Sequence, residues 1–312
     1  MLKIGVVGCG GIGKTHIRSY KEIPDVQVTH VCDLDLERAQ IAADLCGAKA
    51  ITDMKDFPDD LDAVSVVTPP FTHYKIVKQL LERGFNVFCE KPLTMDPAQG
   101  EELDALAKEK DKVLAVGFKM RYEAINIAAR EYIPLVGNIV SITTTKLQAF
   151  SPRPDGAWVK DTGAMYELSV HDIDLITYIT GLKPEKVLFS DLKYRFGWSK
   201  EDAFSIAAQY EGGVTALLEG MYAVSSTFCY RDFTMTVLGD KGYVRIERPD
   251  RIVVHTDEFK VVDVKPLEKS AFVLELQHFV DAVNGKTENT LTAEAGISAT
   301  RLIEDARALS KK

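Results

Sequence analysis

The segment "LKIGVVGCGGIG", Leu2 to Gly13, decides the fold. Its first half is a short apolar run, rich in β-branched residues and ended by glycine, which predicts a strand. A helical pattern follows from about Ile12 to Glu22. Gly8, Gly10 and Gly13 match G-x-G-x-x-G, a weak signal alone that gains weight between a strand and a helix. In that context Gly8 makes the tight turn, Gly10 admits a pyrophosphate to the backbone, and Gly13 lets the helix pack on the strand. Gly11 and Ile12 complete the loop, and the helix N-terminus offers N–H groups to phosphates. Asp33 ends the second predicted strand, twenty positions after Gly13. A carboxylate there accepts hydrogen bonds from the adenosine ribose hydroxyls and repels a 2′-phosphate. Leu34 follows it, where NADP enzymes often carry a small or basic residue. The expected cofactor is NAD, with NADP disfavoured, although Lys14 and Arg38 lie close by. The plainer alternative is a glycine turn beside a surface aspartate.

Outward from the loop the pattern repeats. "VQVTHVCD", "DAVSVVTP", "FNVFCE" and "KVLAVGF" read as strands; "LERAQIAADLCG", "THYKIVKQLLERG" and "PAQGEELDALAKEK" read as helices. Strands alternating with helices predict an α/β Rossmann domain with a parallel sheet over residues 1–120. After about Met120 the texture changes. "NIVSITTTKLQAF", "KVLFSDLKY", "AFSIAAQY", "VTALLEGMY", "DFTMTVLG", "YVRIE" and "RIVVHT" are strand-like, with a hairpin expected at Glu211–Gly213. Phe204, Ile206, Ala208 and Tyr210 fall on one strand face. Two helices close the chain, about 271–284 and 293–309, the first with an apolar stripe of Phe272, Leu276, Phe279 and Val283. Residues 121–312 are therefore expected to form an α+β domain with an open, mostly antiparallel sheet, its closing helices free to pack back on the first domain. The uncovered sheet face predicts a homodimer or homotetramer.

Composition excludes several classes. The net charge of −8 argues against a nucleic-acid surface, which usually shows a basic patch. No apolar run reaches the roughly 18 residues of a membrane span. The five cysteines are odd in number and lack C-x-x-C spacing, which predicts reduced thiols in a cytoplasmic protein and no zinc site.

Two stretches carry candidate chemistry. In "FCEKPLTM", Phe88 to Met95, a buried-looking strand ends on Glu90 and Lys91, at the edge where α/β sheets bind ligands. Pro92 follows, and a sharp turn aiming the lysine inward predicts a cis Lys91–Pro92 bond. In "GAMYELSVHDIDLITYI" an α-helix is expected from about Gly163 to Tyr178. Its projection puts Leu168, Asp172, Leu175 and Ile179 on one side and Glu167, His171, Asp174 and Tyr178 on another. The second side reads either as a solvated face or as a functional one. A metal held by Glu167 and His171 lacks further ligands nearby.

With "GCGGIG", "CEKPL" and "ELSVHDID" in order, the chain resembles the Gfo/Idh/MocA family of oxidoreductases nearly end to end. "VVTPPFTH" is similar to the family's T-P-x-x-x-H segment, which adds Thr68, Pro69 and His73 to the cofactor-binding candidates. The resemblance implies NAD(P)-dependent oxidation or reduction of a sugar, polyol or related centre. It implies Lys91 beside nicotinamide and substrate, and His171 as the catalytic histidine. Glu167 stands where inositol-dehydrogenase-like members commonly carry aspartate, and Ala124 where many place proline.

In the mechanism so implied, His171 accepts the hydroxyl proton and Lys91 stabilises the developing alkoxide. Glu167 binds a neighbouring hydroxyl or orients His171 or Lys91; Glu90 holds Lys91 or the nicotinamide ribose. Arg153, Trp158 and Arg231 are candidates for specificity, and each has an ordinary surface or packing role as its alternative. Two competing readings are an enzyme whose permanently bound NAD is transiently oxidising, and a catalytically silent NAD-binding regulator.

Overall fold

The computed structural model describes residues 1–150, 158–223 and 231–310. The chain forms two compact units, Met1–Lys119 with Lys269–Ser298, and Met120–Glu268 with Ala299–Lys312. The segment 269–298 thus belongs to the first unit although it follows most of the second in sequence.

The first unit opens with β1 (Leu2–Val7), α1 (Gly11–Lys21), β2 (Val26–Cys32), α2 (Leu36–Asp44), β3 (Lys49–Ile51), β4 (Ala63–Val66) and α3 (His73–Glu82). β5 (Asn86–Glu90), α4 (Pro97–Glu109) and β6 (Leu114–Gly117) follow. Among the described residues these strands form a six-stranded sheet in the order β3-β2-β1-β4-β5-β6, every pairing parallel. The order reverses between β1 and β4, so the topological switch point lies at their carboxyl ends, the position where such sheets bind ligands. β4 and β6 are buried throughout, as strands covered by helices on both faces must be. Helix starts are set locally: Asp35 caps α2, and Asp96 caps α4 with Pro97 at its first position. β3, unanticipated, is a three-residue edge strand too short to show a period.

The second unit holds α5 (Ala124–Ala129), β7 (Ile139–Ala149), α6 (Val159–Thr162), α7 (Val170–Thr180), β8 (Pro184–Lys193), β9 (Ala203–Tyr210) and β10 (Val214–Ala223). It continues with β11 (Arg231–Gly239), β12 (Gly242–Glu247), β13 (Arg251–His255) and β14 (Phe259–Asp263). Its described strands form an eight-stranded sheet, β14-β13-β12-β11-β7-β10-β9-β8. The pairings are antiparallel except β7 with β10. The Glu211–Gly213 turn joins β9 to β10, and Phe204, Ile206, Ala208 and Tyr210 face the core together. The chain closes with α8 (Ala271–Val283), capped by Ser270, and α9 (Ala293–Ser310). Leu276 and Phe279 of the expected α8 stripe are buried, whereas Phe272 and Val283 are half-buried.

The expected helix from Gly163 to Tyr178 is not one continuous α-helix. Met165–Ser169 forms a π-helical turn, and α7 begins only at Val170. Two side chains favour the break. Ser169 Oγ donates to the Met165 carbonyl at 3.0 Å, and the Lys146 ammonium donates to the Leu168 carbonyl at 2.8 Å. Each occupies a carbonyl that would otherwise serve the α-helical ladder.

Candidate active site

In the first unit the expected cofactor loop is built by sterics. Gly8 sits at φ +98°, where an added Cβ would lie 2.6 Å from the Val67 carbonyl oxygen; one on Gly13 would lie 1.9 Å from the Gly8 carbonyl oxygen. Both are far below real Cβ contacts, so only glycine fits. Gly10 differs, because a Cβ there would meet nothing within 4 Å. The space beside it is open, as a backbone meant to receive a pyrophosphate requires. Gly10 also precedes α1 without a side-chain cap, and no acidic residue stands in the helix's first turn, which leaves the N–H groups suited to an anion. The residues fit the dinucleotide that the motif implies.

Asp33 is half-buried and oriented by the loop it serves. Its Oδ2 accepts from the Cys9 N–H at 2.8 Å and its Oδ1 from the Asp35 N–H at 3.1 Å. Leu34 beside it is 96% exposed, and Arg38 leans toward Asp35 at 3.4 Å. Thr68 follows the end of β4, and its hydroxyl bonds that of Thr72 at 2.7 Å. His73 is fully buried, with Nδ1 2.7 Å from the Pro92 carbonyl and Nε2 2.8 Å from the Thr68 carbonyl. Burial pushes this imidazole's pKa down, outweighing the two carbonyls that favour its protonated form. His73 therefore ties the loop after β4 to the turn after β5.

That turn carries Glu90 and Lys91, and the Lys91–Pro92 peptide is cis, as expected. A second cis bond, Arg248–Pro249, lies in the other unit and was not anticipated. Glu90 accepts from its neighbour's backbone, the Lys91 N–H, at 3.2 Å, and contacts His16 Nε2 at 3.0 Å. Burial pushes the Glu90 carboxyl up, but the His16 hydrogen bond and the His16 and Lys91 charges hold it below its ordinary range.

In the second unit Glu167 lies in the π turn, half-buried, and His171 lies at the start of α7, 9% exposed. The α-helical spacing that put them on one face does not run through the π turn. The projected polar face is not solvated either. Asp174 is buried and paired to Arg121, whose Nε donates to it at 2.9 Å and whose Nη2 makes a second contact. Asp172, projected among leucines, is buried and paired with Lys146 at 2.8 Å. Burial pushes the Lys146 ammonium down and the Asp172 carboxyl up, against their mutual attraction. Tyr178 is half-buried, with Arg121 and Arg130 over its ring at 5.5 and 4.6 Å. At the entry to the π turn, buried Glu201 accepts from the Met165 N–H at 3.1 Å and from Arg307 of α9. Among the specificity candidates, Trp158 is half-buried just before α6, Arg231 opens β11, and Arg153 lies outside the described residues.

Sequence reasoning missed Lys146, Arg121 and Glu275. Strand parity held a clue to the first, since Lys146 is in phase with inward-facing Ile142 and Thr144. Glu275 falls between the apolar positions that carry the α8 stripe, so periodicity does not mark it. It is 0% exposed, and among the described residues neither of its carboxyl oxygens has a hydrogen-bond partner.

Comparisons with known proteins agree with this architecture. Residues 2–118 match the oxidoreductase family with NAD-binding Rossmann fold, and residues 135–311 match that family's C-terminal alpha/beta domain. An inositol 2-dehydrogenase of Rhizobium meliloti is 25% identical, over 100% of this chain and 98% of its own length. A UDP-N-acetylglucosamine 3-dehydrogenase of Acidithiobacillus ferrooxidans is 31% identical, over 60% of this chain and 56% of its own. An Agrobacterium radiobacter oxidoreductase, solved with NAD+, L-tartaric acid and magnesium, shares the fold at a TM-score of 0.89. Its identity is 17%, with 100% of this chain and 96% of that one covered. With a glycine loop shaped for a dinucleotide, the E-K-P turn at the end of β5 and a match in both halves, the chain belongs to the Gfo/Idh/MocA oxidoreductase family.

Proposed function

We propose that this protein is an NAD-dependent dehydrogenase acting on a secondary alcohol or ketone of a sugar, cyclitol or sugar derivative. The observation that carries the proposal is the retention of both reactive groups the family's chemistry calls for, Lys91 and His171, in a chain whose first unit carries a glycine loop that fits the dinucleotide. The names of the relatives, an inositol and a nucleotide-sugar dehydrogenase, support the substrate class.

The Gly8–Gly13 loop, Asp33, Thr68 and Pro69 would hold the cofactor, with Glu90 toward its nicotinamide ribose. Bound NAD supplies the hydride acceptor. The rest is the work of side chains. His171 takes the hydroxyl proton as general base. Lys91 hydrogen-bonds the alcohol oxygen and stabilises it as negative charge develops. Glu167 orients a neighbouring hydroxyl. Asp33 supports NAD over NADP. The free thiols of Cys9, Cys32, Cys46 and Cys89 support a cytoplasmic setting.

A screen of polyols, inositols, aldoses and sugar acids with NAD and NADP, following absorbance of the reduced cofactor, tests the reading. On the substrate it finds, His171→Ala lowers kcat by about 10²–10⁴-fold. Full kcat in that variant removes His171 from the mechanism. Absence of net NADH with every candidate favours an enzyme that keeps its cofactor bound and only transiently oxidises.

A further inference from the structure

Glu275 stands in α8 within the first unit, where one of its carboxyl oxygens, a Glu90 oxygen and a His16 ring nitrogen lie within 4.8 Å of one another. His16 and Glu275 are both 0% exposed. The His16 ring is packed edge-on against Phe88 and Phe272, so the setting is largely apolar. The groups facing Glu275 are few: His16 and Tyr20 from α1, Glu90 from β5, and Lys119 just after β6. None of them satisfies it. Among the described residues His16 bonds Glu90, the Tyr20 hydroxyl bonds Ser65 at 2.7 Å, and Lys119 lies over the Phe272 ring at 5.3 Å.

An ionised Glu275 would be a buried anion without a donor, beside another anion, which is among the costliest arrangements in a protein interior. A proton or a metal ion could relieve it. His16 Nε2 is already engaged with Glu90, so a metal would find only Nδ1 and the two carboxyl groups, one ligand short of a closed four-coordinate site where His16 and Glu275 are fully buried. A proton asks for no further ligand.

We propose that Glu275 is a positioning residue that carries its proton in the working protein, so that Glu90 remains the single charged carboxylate beneath the Lys91 turn. Lys91's role rests on the dehydrogenase reading above; the protonated state of Glu275 does not. Burial first, and the Glu90 charge second, push the Glu275 carboxyl well above its ordinary range. The folded protein then holds a proton that the unfolded chain releases. Stability contributed at this site is therefore greatest below the unfolded value of about 4.3 and falls as pH rises toward the folded value.

The test compares wild type with two neutral variants, Glu275→Gln and Glu275→Met, by denaturant unfolding from about pH 5 to pH 8. The expected result is that both variants gain on wild type as pH rises, by up to about tenfold in the unfolding equilibrium constant per pH unit. On an active substrate, Glu275→Gln should also carry kcat/KM to more alkaline pH than wild type, a change that a packing role does not produce. A variant-to-wild-type ratio that stays flat with pH overturns the proposal. So does loss of the fold in both neutral variants, or a stoichiometric metal in the purified protein that Glu275→Gln loses. If the unfolding result holds and no substrate is ever oxidised, the dehydrogenase reading fails and the proton assignment stands.

Discussion

At the scale of single residues, the shape of the glycine loop proposed to hold the cofactor was legible because its demands are local and steric. Gly8 and Gly13 are required by atoms a few residues away or on the adjoining strand loop, and Gly10 by open space. Asp33 was legible from its distance to the loop. Its carboxylate faces the glycine turn through the Cys9 N–H, so in the role proposed for it replacement removes a charged acceptor as well as the repulsion of a 2′-phosphate. Asp33→Ala is expected to raise KM for NAD by roughly tenfold or more, the worth of a charge-assisted hydrogen bond. KM for NADP should rise less or fall, and initial-rate measurements with both cofactors check the ratio. Glu275 was not legible in the same way, since a glutamate among apolar helix residues looks like a surface position until its neighbours from α1 and β5 are in place.

At the scale of elements, the helix bearing Glu167 and His171 is where sequence and structure part. Periodicity assumes a uniform α-helix with a wet side. The π turn breaks the period, and Asp172 and Asp174 are drawn inward by cations that projection cannot supply. Lys146 comes from β7, and Arg121 stands 53 positions before Asp174. Long-range ion pairs leave no local pattern. The Arg121–Asp174 pair is buried on both sides, at 9% and 1% side-chain exposure. Breaking it strands a buried charge. Arg121→Met is expected to cost about 3–5 kcal/mol, and adding Asp174→Leu should recover much of that loss. Chemical denaturation of the two single variants and the double variant measures the coupling.

At the scale of the molecule, the two-unit α/β plus α+β plan was readable from the change in texture near Met120. The substrate was not, because identity resides in a few side chains whose convergence no periodicity encodes. The second unit's sheet leaves one face toward solvent. Phe189, Ala207, Leu217 and Thr143 follow one another in register across it, with Phe189 55% and Leu217 48% exposed. We propose that this face joins copies of the chain, since an apolar row of that kind is normally covered. Light scattering should give a dimer or tetramer for wild type. A Phe189→Glu, Leu217→Glu double variant should run as a monomer with its melting temperature nearly unchanged at the level of the isolated fold. A wild-type monomer defeats this assignment.

The first unit is discontinuous in sequence, and this sets a timetable for its assembly. The Val116 N–H donates to the Leu291 carbonyl at 2.9 Å, Ala115 bridges Thr292, and Phe88 packs edge-on against Phe279. These partners of β5 and β6 belong to the segment 269–298. At about 5–20 residues per second, synthesis separates residue 119 from residue 298 by roughly ten to forty seconds. All the described strands of the second sheet, the last ending at Asp263, have been made before α8 exists to cover the first. The nascent nucleotide-binding half must wait with Phe88 and the β6 edge exposed. Its window for misassociation on the ribosome is longer than that of the domain made after it.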